Sequence, residues 1–203
     1  MLNKYDVFNP GYFQSDELSE FGFKHVGKNV KIAKNCTIIG LNNIFLGNNI
    51  RIDSNVVISA FSGFLDLGDY IHIGGDCHLY CVGGITMSDF SGLSQGVKIY
   101  SGNDDYTGKT LTNPTIPPKF CNVKIAPVYI GKHAGLGSGS VVLPGVSIGT
   151  GSAVGALSLV TKSLDDWGVY FGSPVKRIKA RSKDLLELEK KLIEENKLKF
   201  PSF

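Results

Sequence analysis

The sequence predicts an all-β fold, a parallel β-helix of about six coils whose short strands stack into three faces. Three observations lead to this prediction. An aliphatic residue recurs at every sixth position, a small or apolar residue follows it four positions later, and the residues between them are mostly Gly, Asn, Asp, Lys or Ser. Helices repeat every ~3.6 residues and strands every ~2, so neither element alone gives this period. The aliphatic positions are Val26, Ile32, Ile38, Leu46, Ile52, Ile58, Leu67, Ile73, Leu79, Met87, Leu93, Ile99, Ile130, Leu136, Val142, Ile148, Val154 and Val160.

Each six-residue unit is expected to form a short strand with two inward side chains, followed by a turn. Gly, Asn and Asp suit the turn because φ is often positive there. Three units would close one triangular coil, and stacked coils would bury the aliphatic columns that one coil leaves exposed. The spacing of coil starts agrees, since Val26 to Leu46 is twenty residues and Ile130 to Ile148 is eighteen.

Three segments interrupt or flank the repeat of residues 26–162, all within one predicted domain. Residues 1–25 carry several aromatic side chains and are expected to cap the open end of the solenoid, as such folds require. Residues 101–127 form a long polar loop, which in a regular array is usually functional or disordered. Residues 163–203 form an exit segment with a helix predicted over 182–197, for which Ser182 is the expected N-cap.

Composition argues against several classes of function. The net charge is +3, and the only basic cluster is short, so a nucleic-acid-binding surface is not expected. No secretory signal or membrane span is predicted, and a cytoplasmic location is expected.

The four cysteines are expected to be reduced thiols rather than disulfide partners or metal ligands. Cys36 and Cys77 stand at inward positions of the repeat, where small core residues are typical, and Cys81 follows Cys77 by four residues. Cys121 lies in the loop. No metal is expected.

Three stretches of the chain resemble the hexapeptide-repeat acyltransferases. They are APVYIGKHAGLGSGSVVLPGVSIG at 126–149, GSAVGALSLVTKS at 151–163 and FGSPVKRI at 171–178. The group that they resemble most includes galactoside and maltose O-acetyltransferases and acetyltransferases of lipopolysaccharide synthesis. The resemblance implies a left-handed β-helix, a homotrimer with active sites between subunits, and acetyl-CoA as the acyl donor.

The resemblance also implies where coenzyme A binds. Its pantetheine arm would lie along the C-terminal coils, and the matching positions here are Gly137, Ser138, Ala156, Thr161 and Lys162. Small residues there would let a rod-like cofactor approach the backbone. The alternative is that glycine simply follows each aliphatic residue of the repeat.

A second set of candidate cofactor residues is basic. Lys176, Arg177 and Lys179 could neutralise the phosphates of coenzyme A. The alternative is that these three residues are solvent-exposed surface charges that contact no cofactor.

The catalytic base is the point at which this chain departs from the family. Similar enzymes carry a histidine in the long loop, and the corresponding position here is Asp104. His78 and His72 are therefore candidates, each at an outward position on a different face, with Asp104 as a third and His133 as a weaker one. A carboxylate is a weak base unless burial raises its pKa.

The loop residues beside Asp104 are the candidate substrate-binding residues. Asn103, Asp105 and Tyr106 could orient a sugar acceptor. The alternative is that they are turn residues in a loop that closes the site.

The predicted function is transfer of an acetyl group from acetyl-CoA to a sugar used in surface-polysaccharide synthesis. An amine attacks a thioester more readily than a hydroxyl does, so the missing loop histidine favours N-acetylation of a nucleotide-linked amino sugar. O-acetylation of a glycan or glycoside is the alternative. More distant alternatives are a metal-binding β-helix using His72, His78 and His133, and a non-catalytic scaffold.

Overall fold

The computed structural model describes residues 8–199 and shows a left-handed parallel β-helix. Each of six coils contributes one strand to each of three parallel sheets, and one further strand begins a seventh coil. The predicted fold class and coil number are therefore confirmed.

The three sheets are named A, B and C. Sheet A contains, in spatial order, β1 (Tyr12–Gln14), β3 (Lys31–Ala33), β6 (Arg51–Ile52), β9 (His72–Ile73), β12 (Gly92–Leu93), β17 (Gly135–Leu136), β20 (Ala153–Val154), β22 (Gly168–Phe171) and β23 (Lys176–Ala180). Sheet B contains β2 (His25–Val26), β5 (Ile44–Leu46), β8 (Leu65–Leu67), β11 (Ile85–Met87), β16 (Val128–Ile130) and β19 (Ser147–Ile148). Sheet C contains β4 (Thr37–Ile39), β7 (Val57–Ser59), β10 (His78–Tyr80), β13 (Lys98–Tyr100), β18 (Val141–Val142) and β21 (Leu159–Val160).

The core is the aliphatic column that the repeat predicts. Every predicted aliphatic position is buried except Val26 and Ile38, which are partly buried in the outermost coil. Burying one such side chain contributes roughly 1.5–3 kcal/mol, and stacking adds a new layer with every coil. This column holds the three faces rigid and so fixes which side chains point outward.

One corner of the prism departs from the expected turn chemistry. Positive φ occurs there at Tyr70, Phe90 and His133, although Asn, Asp or Gly was expected. Non-glycine residues in this region cost about 1–2 kcal/mol each. The rings stack between coils, Tyr70 on Phe90 at 4.7 Å and Phe90 on His133 at 5.1 Å between centroids. Stacking contributes about 0.5–1.5 kcal/mol per pair and offsets much of that cost.

The 101–127 loop is anchored to the solenoid by a hairpin. Strand β14 (Gly102–Asp104) pairs antiparallel with β15 (Val123–Ile125), and a short 3₁₀ helix spans Pro118–Phe120. A side chain at Gly102 would place its Cβ 2.3 Å from Val82. Glycine is therefore required for the hairpin to lie this close to the coil.

The N-terminal segment folds back on the first coil. Strand β1 pairs antiparallel with β3, and helix α1 (Ser15–Ser19) buries Leu18 against the core. Of the aromatic residues in the predicted cap, Phe8 is 97% exposed, because it precedes the first paired strand, and Tyr5 lies outside the described residues. A 3₁₀ helix at Leu41–Asn43 completes the helical elements of this end.

The C-terminal helix starts later than the sequence predicts. Helix α2 covers Leu185–Lys199, whereas 182–197 was expected. The hydroxyl of Ser182 accepts a hydrogen bond from the Asp184 amide at 3.1 Å, so it forms a turn ahead of the helix instead of an N-cap. This helix carries an apolar stripe that includes Leu188, Leu192 and Ile193, which remain 64%, 38% and 38% exposed.

All four cysteines are free thiols, and two are buried in the core. Burial raises the pKa of Cys77 to about 11 and that of Cys81 to about 12. Both therefore stay protonated and poorly nucleophilic at neutral pH. Within residues 8–199, no helix is long and apolar enough to span a bilayer.

Candidate functional site

Two concave surfaces on different faces hold the candidate catalytic residues. The loop pocket lies between sheet C and the 101–127 loop and has a volume of about 820 Å³. The sheet A groove lies along the outside of β9, β12 and β17 and has a volume of about 490 Å³. His78 lines the loop pocket and His72 lines the sheet A groove, so the two histidines lie on different faces, as the repeat predicts.

The loop pocket brings together most of the residues predicted around the missing histidine. His78, Asn103, Asp104 and Tyr106 all line it. His78 projects from β10 between two stacked strands, and its ring centroid lies 6.1 Å from that of Tyr100. Asp104 is the last residue of β14 and is only partly buried, so its carboxyl group is accessible from the pocket.

Asp105 lies outside this pocket lining and makes local bonds. Its carboxylate accepts hydrogen bonds from the Thr107 amide at 2.9 Å and from the Asn122 side chain at 3.3 Å. The bonds from Thr107 and Asn122 hold the pKa of Asp105 below its usual range. This geometry matches the turn-forming role that was the alternative for Asp105, because both carboxylate oxygens are used within the loop.

The sheet A groove has an imidazole–carboxylate pair at one side. His72 Nε2 lies 2.8 Å from Asp53 Oδ2, and His72 is half exposed. The other carboxylate oxygen of Asp53 accepts bonds from the Tyr12 hydroxyl at 2.8 Å and from Arg51 Nε at 2.6 Å. Partial burial acts to raise the pKa of Asp53, but the hydrogen bonds from His72, Arg51 and Tyr12 outweigh it and lower that pKa.

The floor of the groove is formed by two paired glycines, Gly92 and Gly135. Among the glycines of the described chain, only these two combine an ordinary φ with enough space for a Cβ, which would have no other atom closer than 3.5 Å. Neither backbone conformation nor intramolecular packing therefore demands glycine at these two sites. Their absent side chains leave a depression beside His72.

The predicted cofactor residues lie along the C-terminal coils, mostly exposed. Gly137 lines the groove, and a Cβ there would lie 2.5 Å from the Ala156 nitrogen, so packing of the next coil explains this glycine. Ser138 is exposed, with its hydroxyl 3.5 Å from Gln95 Oε1. Ala156, Thr161 and Lys162 are exposed as well.

The basic candidates form one exposed strip on β23. Lys176, Arg177 and Lys179 are all exposed there, and none makes an ion pair with another described residue. Free cations on an edge strand are available to an anionic ligand.

His133 anchors the C-terminal helix. Its side chain is 7% exposed, its Nε2 lies 2.8 Å from Glu189 Oε2, and its ring stacks on Phe90. Lys132 pairs with the other Glu189 oxygen, and Arg181 donates to the carbonyls of His133 and Gly151. Among residues 8–199, no group of three or more His, Cys, Asp or Glu side chains is placed to hold a metal ion.

Sequence reasoning missed Asp53, Tyr12 and Arg51. The sequence offered one signal for this group. Arg51 and His72 occupy the same position in neighbouring coils, and Asp53 follows Arg51 by two residues. Tyr12 comes from the antiparallel strand β1, which lies outside the repeat, so no periodicity could place it beside Asp53.

Known proteins with similar sequences are acyltransferases, several of them named for sugars or polysaccharides. The family described as hexapeptide repeat of succinyl-transferase matches residues 127–162. A dTDP-4-amino-4,6-dideoxy-D-glucose acyltransferase of Escherichia coli is 44% identical over 88% of this chain and 93% of its own length. A colanic acid biosynthesis acetyltransferase of Escherichia coli K12 is 35% identical over 67% of this chain and 69% of its own.

A solved structure shares nearly the whole fold. AntD, an N-acyltransferase from Bacillus cereus, was solved in complex with dTDP and 3-hydroxybutyryl-CoA. It is 41% identical, the match covers 91% of this chain and 97% of AntD, and the TM-score is 0.87. From its repeat, its closing signature and these relatives, the chain belongs to the hexapeptide-repeat acyltransferase family and is an acyltransferase.

Proposed function

We propose that this protein transfers an acyl group from acyl-CoA, with acetyl-CoA as the expected donor, to the amino group of a nucleotide-linked amino sugar. The observation that carries the proposal is near full-length similarity to two proteins named for this chemistry, one an acyltransferase of a dTDP-linked amino sugar and one an N-acyltransferase. AntD was also solved with dTDP-4-amino-4,6-dideoxyglucose and coenzyme A, as a single-residue variant. The sugar acceptor here would serve surface-polysaccharide synthesis in the cytoplasm.

The loop composition supports an amine acceptor. In the transfer, the amine nitrogen attacks the thioester carbonyl, the new N–C bond forms as the C–S bond breaks, and the amine loses a proton. A neutral amine is already a strong nucleophile, so the base acts late and need not be strong. Asp104, at the position of the usual loop histidine, could serve as such a weak base. A hydroxyl acceptor would need a stronger base, because its proton must be removed during the attack.

We propose that the active site forms between subunits of a homotrimer. In one chain, the loop pocket with His78 and Asp104 and the groove with His72 lie on different sheets. The loop also exposes apolar side chains, among them Tyr106, Phe120 and Ile125. A neighbouring copy that covers the loop would bring the two half-sites together.

Within that site, Asn103 and Tyr106, which line the loop pocket, would bind the sugar, while Asp105 would act by shaping the loop. Coenzyme A would lie along the C-terminal coils. Gly137, Ser138, Ala156, Thr161 and Lys162 would flank its pantetheine arm. Lys176, Arg177 and Lys179 would meet its phosphates.

A coupled assay of coenzyme A release tests the function. We expect release from acetyl-CoA or 3-hydroxybutyryl-CoA with dTDP-4-amino-4,6-dideoxyglucose, and none with the matched 4-hydroxy sugar nucleotide or with neutral glycosides. Mass spectrometry should find the acyl group on nitrogen. Release with neutral glycosides alone would establish O-acetylation instead. The name of the colanic acid relative, an acetyltransferase, does not specify whether nitrogen or oxygen receives the acetyl group.

A further inference from the structure

We infer that Asp53 is a positioning residue that holds His72 as the proton acceptor of acyl transfer, with Tyr12 of the N-terminal strand completing the arrangement. This inference rests on the proposed function, and it selects one of the candidate bases. Three groups meet on the Asp53 carboxylate, and each arrives from a different strand of sheet A, namely β1, β6 and β9.

Asp53 is held in its ionised state. Its side chain is 17% exposed and accepts hydrogen bonds from Tyr12, Arg51 and His72. Such bonds stabilise the charged form, so the group is a carboxylate at neutral pH. A carboxylate can only accept hydrogen bonds.

The carboxylate in turn fixes the tautomer of His72. Because Asp53 Oδ2 can only accept, the nitrogen 2.8 Å away, Nε2, must carry the hydrogen. In the neutral imidazole Nδ1 is then the unprotonated nitrogen. Among the described residues Nδ1 has no hydrogen-bond partner, so its lone pair is available at the edge of the groove. In a catalytic triad, too, one nitrogen of the histidine donates a hydrogen bond to a carboxylate while the other nitrogen acts as the base.

His72 faces an open part of the groove. Gly92 lies directly in the next coil and is paired with His72 in the sheet register. No side chain therefore stands between the imidazole and a ligand lying on the glycine floor. His78 in the loop pocket, by contrast, has no hydrogen-bonding partner among the described residues to fix its tautomer.

Atoms and charge balance in the proposed step. The acceptor amine forms its bond to the acyl carbon, the C–S bond breaks with its electron pair on sulfur, and Nδ1 of His72 takes the proton from nitrogen. The imidazolium is stabilised by Asp53. Its proton then passes to the departing thiolate, which leaves as coenzyme A.

Tyr12 and Arg51 form the outer part of the arrangement. Arg51 Nη2 donates to the Tyr12 hydroxyl at 3.1 Å, and that hydroxyl donates to Asp53. Both bonds keep the carboxylate from rotating away from His72. Removing the Tyr12 hydroxyl should therefore weaken the arrangement without abolishing it.

The test uses the full-length protein and four variants, His72→Ala, Asp53→Asn, Tyr12→Phe and, as a matched carboxylate control on sheet B, Asp66→Asn. His72→Ala should lower kcat by about 10²–10⁴-fold, and added imidazole should restore part of it. Asp53→Asn should lower kcat roughly 10–100-fold with KM little changed, the scale of losing the carboxylate partner of a functional histidine. Tyr12→Phe should lie between Asp53→Asn and wild type, and Asp66→Asn should match wild type.

A spectroscopic measurement separates positioning from folding. In ¹⁵N-histidine-labelled protein, His72 should show the Nε2–H tautomer in wild type and a mixture of tautomers in Asp53→Asn. Full activity of His72→Ala, failure of imidazole to rescue it, or an unchanged tautomer in Asp53→Asn would each overturn the inference. A wild-type protein that transfers no acyl group to any amino-sugar nucleotide would instead overturn the proposed function.

Discussion

Gly135 and Gly137 lie two residues apart in the same strand region, yet different physical constraints act on them. A Cβ at Gly135 would meet nothing within 4 Å, whereas one at Gly137 would overlap the backbone of the next coil at 2.5 Å. The first glycine keeps a surface depression open, and the second lets two coils stack. Contacts between coils distinguish the two roles, whereas the sequence shows only that both glycines flank the same aliphatic residue, Leu136.

This difference gives a stability prediction. Gly135→Ala should leave the free energy of unfolding within about 0.5 kcal/mol of wild type, because the surface position is unstrained. Gly137→Ala should cost about 1–3 kcal/mol, the range for overpacking. Thermal and denaturant unfolding of both variants measures this. An equal loss in the two would contradict the assignment, while a loss of acyl transfer in stable Gly135→Ala would mark the groove as occupied during turnover.

The ionisation of Asp53 gives a prediction about pH. Its pKa is lowered in the folded state, so folding is favoured by its ionisation, and this contribution is complete above the unfolded pKa of about 4. As the pH falls through the lower folded pKa, the carboxylate protonates and the contribution is lost.

Asp53→Asn should therefore destabilise the protein at pH 7, and the effect should shrink as the pH falls below the unfolded pKa of about 4. Denaturant unfolding of wild type and variant across that range measures the difference, with Asp66→Asn as the control. A difference that stays constant down to the lowest pH would show that the carboxylate charge plays no part.

At the scale of elements, the partly buried carboxylate of Glu189 links helix α2 to the solenoid. Glu189 has 11% side-chain exposure and joins Lys132 and His133 of the solenoid, while the apolar stripe of the helix is only partly covered. Lys132 and His133 also lower the pKa of Glu189, although its burial alone would raise it. Since apolar packing is incomplete, the ionic contacts decide where the helix lies.

We expect Glu189→Gln to release the helix. Loss of two charge-assisted bonds should weaken docking by about 1.5–3 kcal/mol. Hydrogen exchange of the α2 amides should then accelerate, while the solenoid core stays protected. Glu187→Gln is the matched control, because within residues 8–199 Glu187 forms its ion pair with Lys190 of the same exposed helix surface. Similar exchange in both variants would mean that Glu189 does not hold the helix.

At the scale of the whole molecule, one chain carries the two parts of the proposed active site, the sheet A groove and the loop pocket, on different faces. A solenoid with three flat faces is rigid, so His72 and Asp104 cannot approach each other by bending of the chain. We therefore expect association of copies to join them, and light scattering should give the mass of a trimer.

Subunit mixing tests this arrangement. His72→Ala and Asp104→Ala should each be impaired alone, and co-refolded mixtures should recover roughly one quarter of wild-type activity, since half of the grooves and half of the loops are intact. Mixing His72→Ala with Asp53→Asn should recover nothing, because both changes lie in the same groove. No recovery in the first mixture would place each complete site within a single chain.

The repeat in the sequence determined most of the fold. Inward positions occur at a fixed period, so the aliphatic column, the strand faces and the placement of His72 and His78 on different faces could all be assigned from the amino-acid order alone. The place of the loop followed as well, because it is where the period stops after Ile99. Each of these features depends only on neighbours within the repeat.

The tertiary structure decided what lies outside that period. Tyr12 reaches Asp53 from 41 residues away, Glu189 reaches His133 from 56, and the aromatic corner exists because rings in successive coils stack. These contacts join irregular segments to the solenoid, and their partners are chosen by where the chain folds back. A periodic pattern specifies which way a residue points, but only the assembled coils show which other residue it meets.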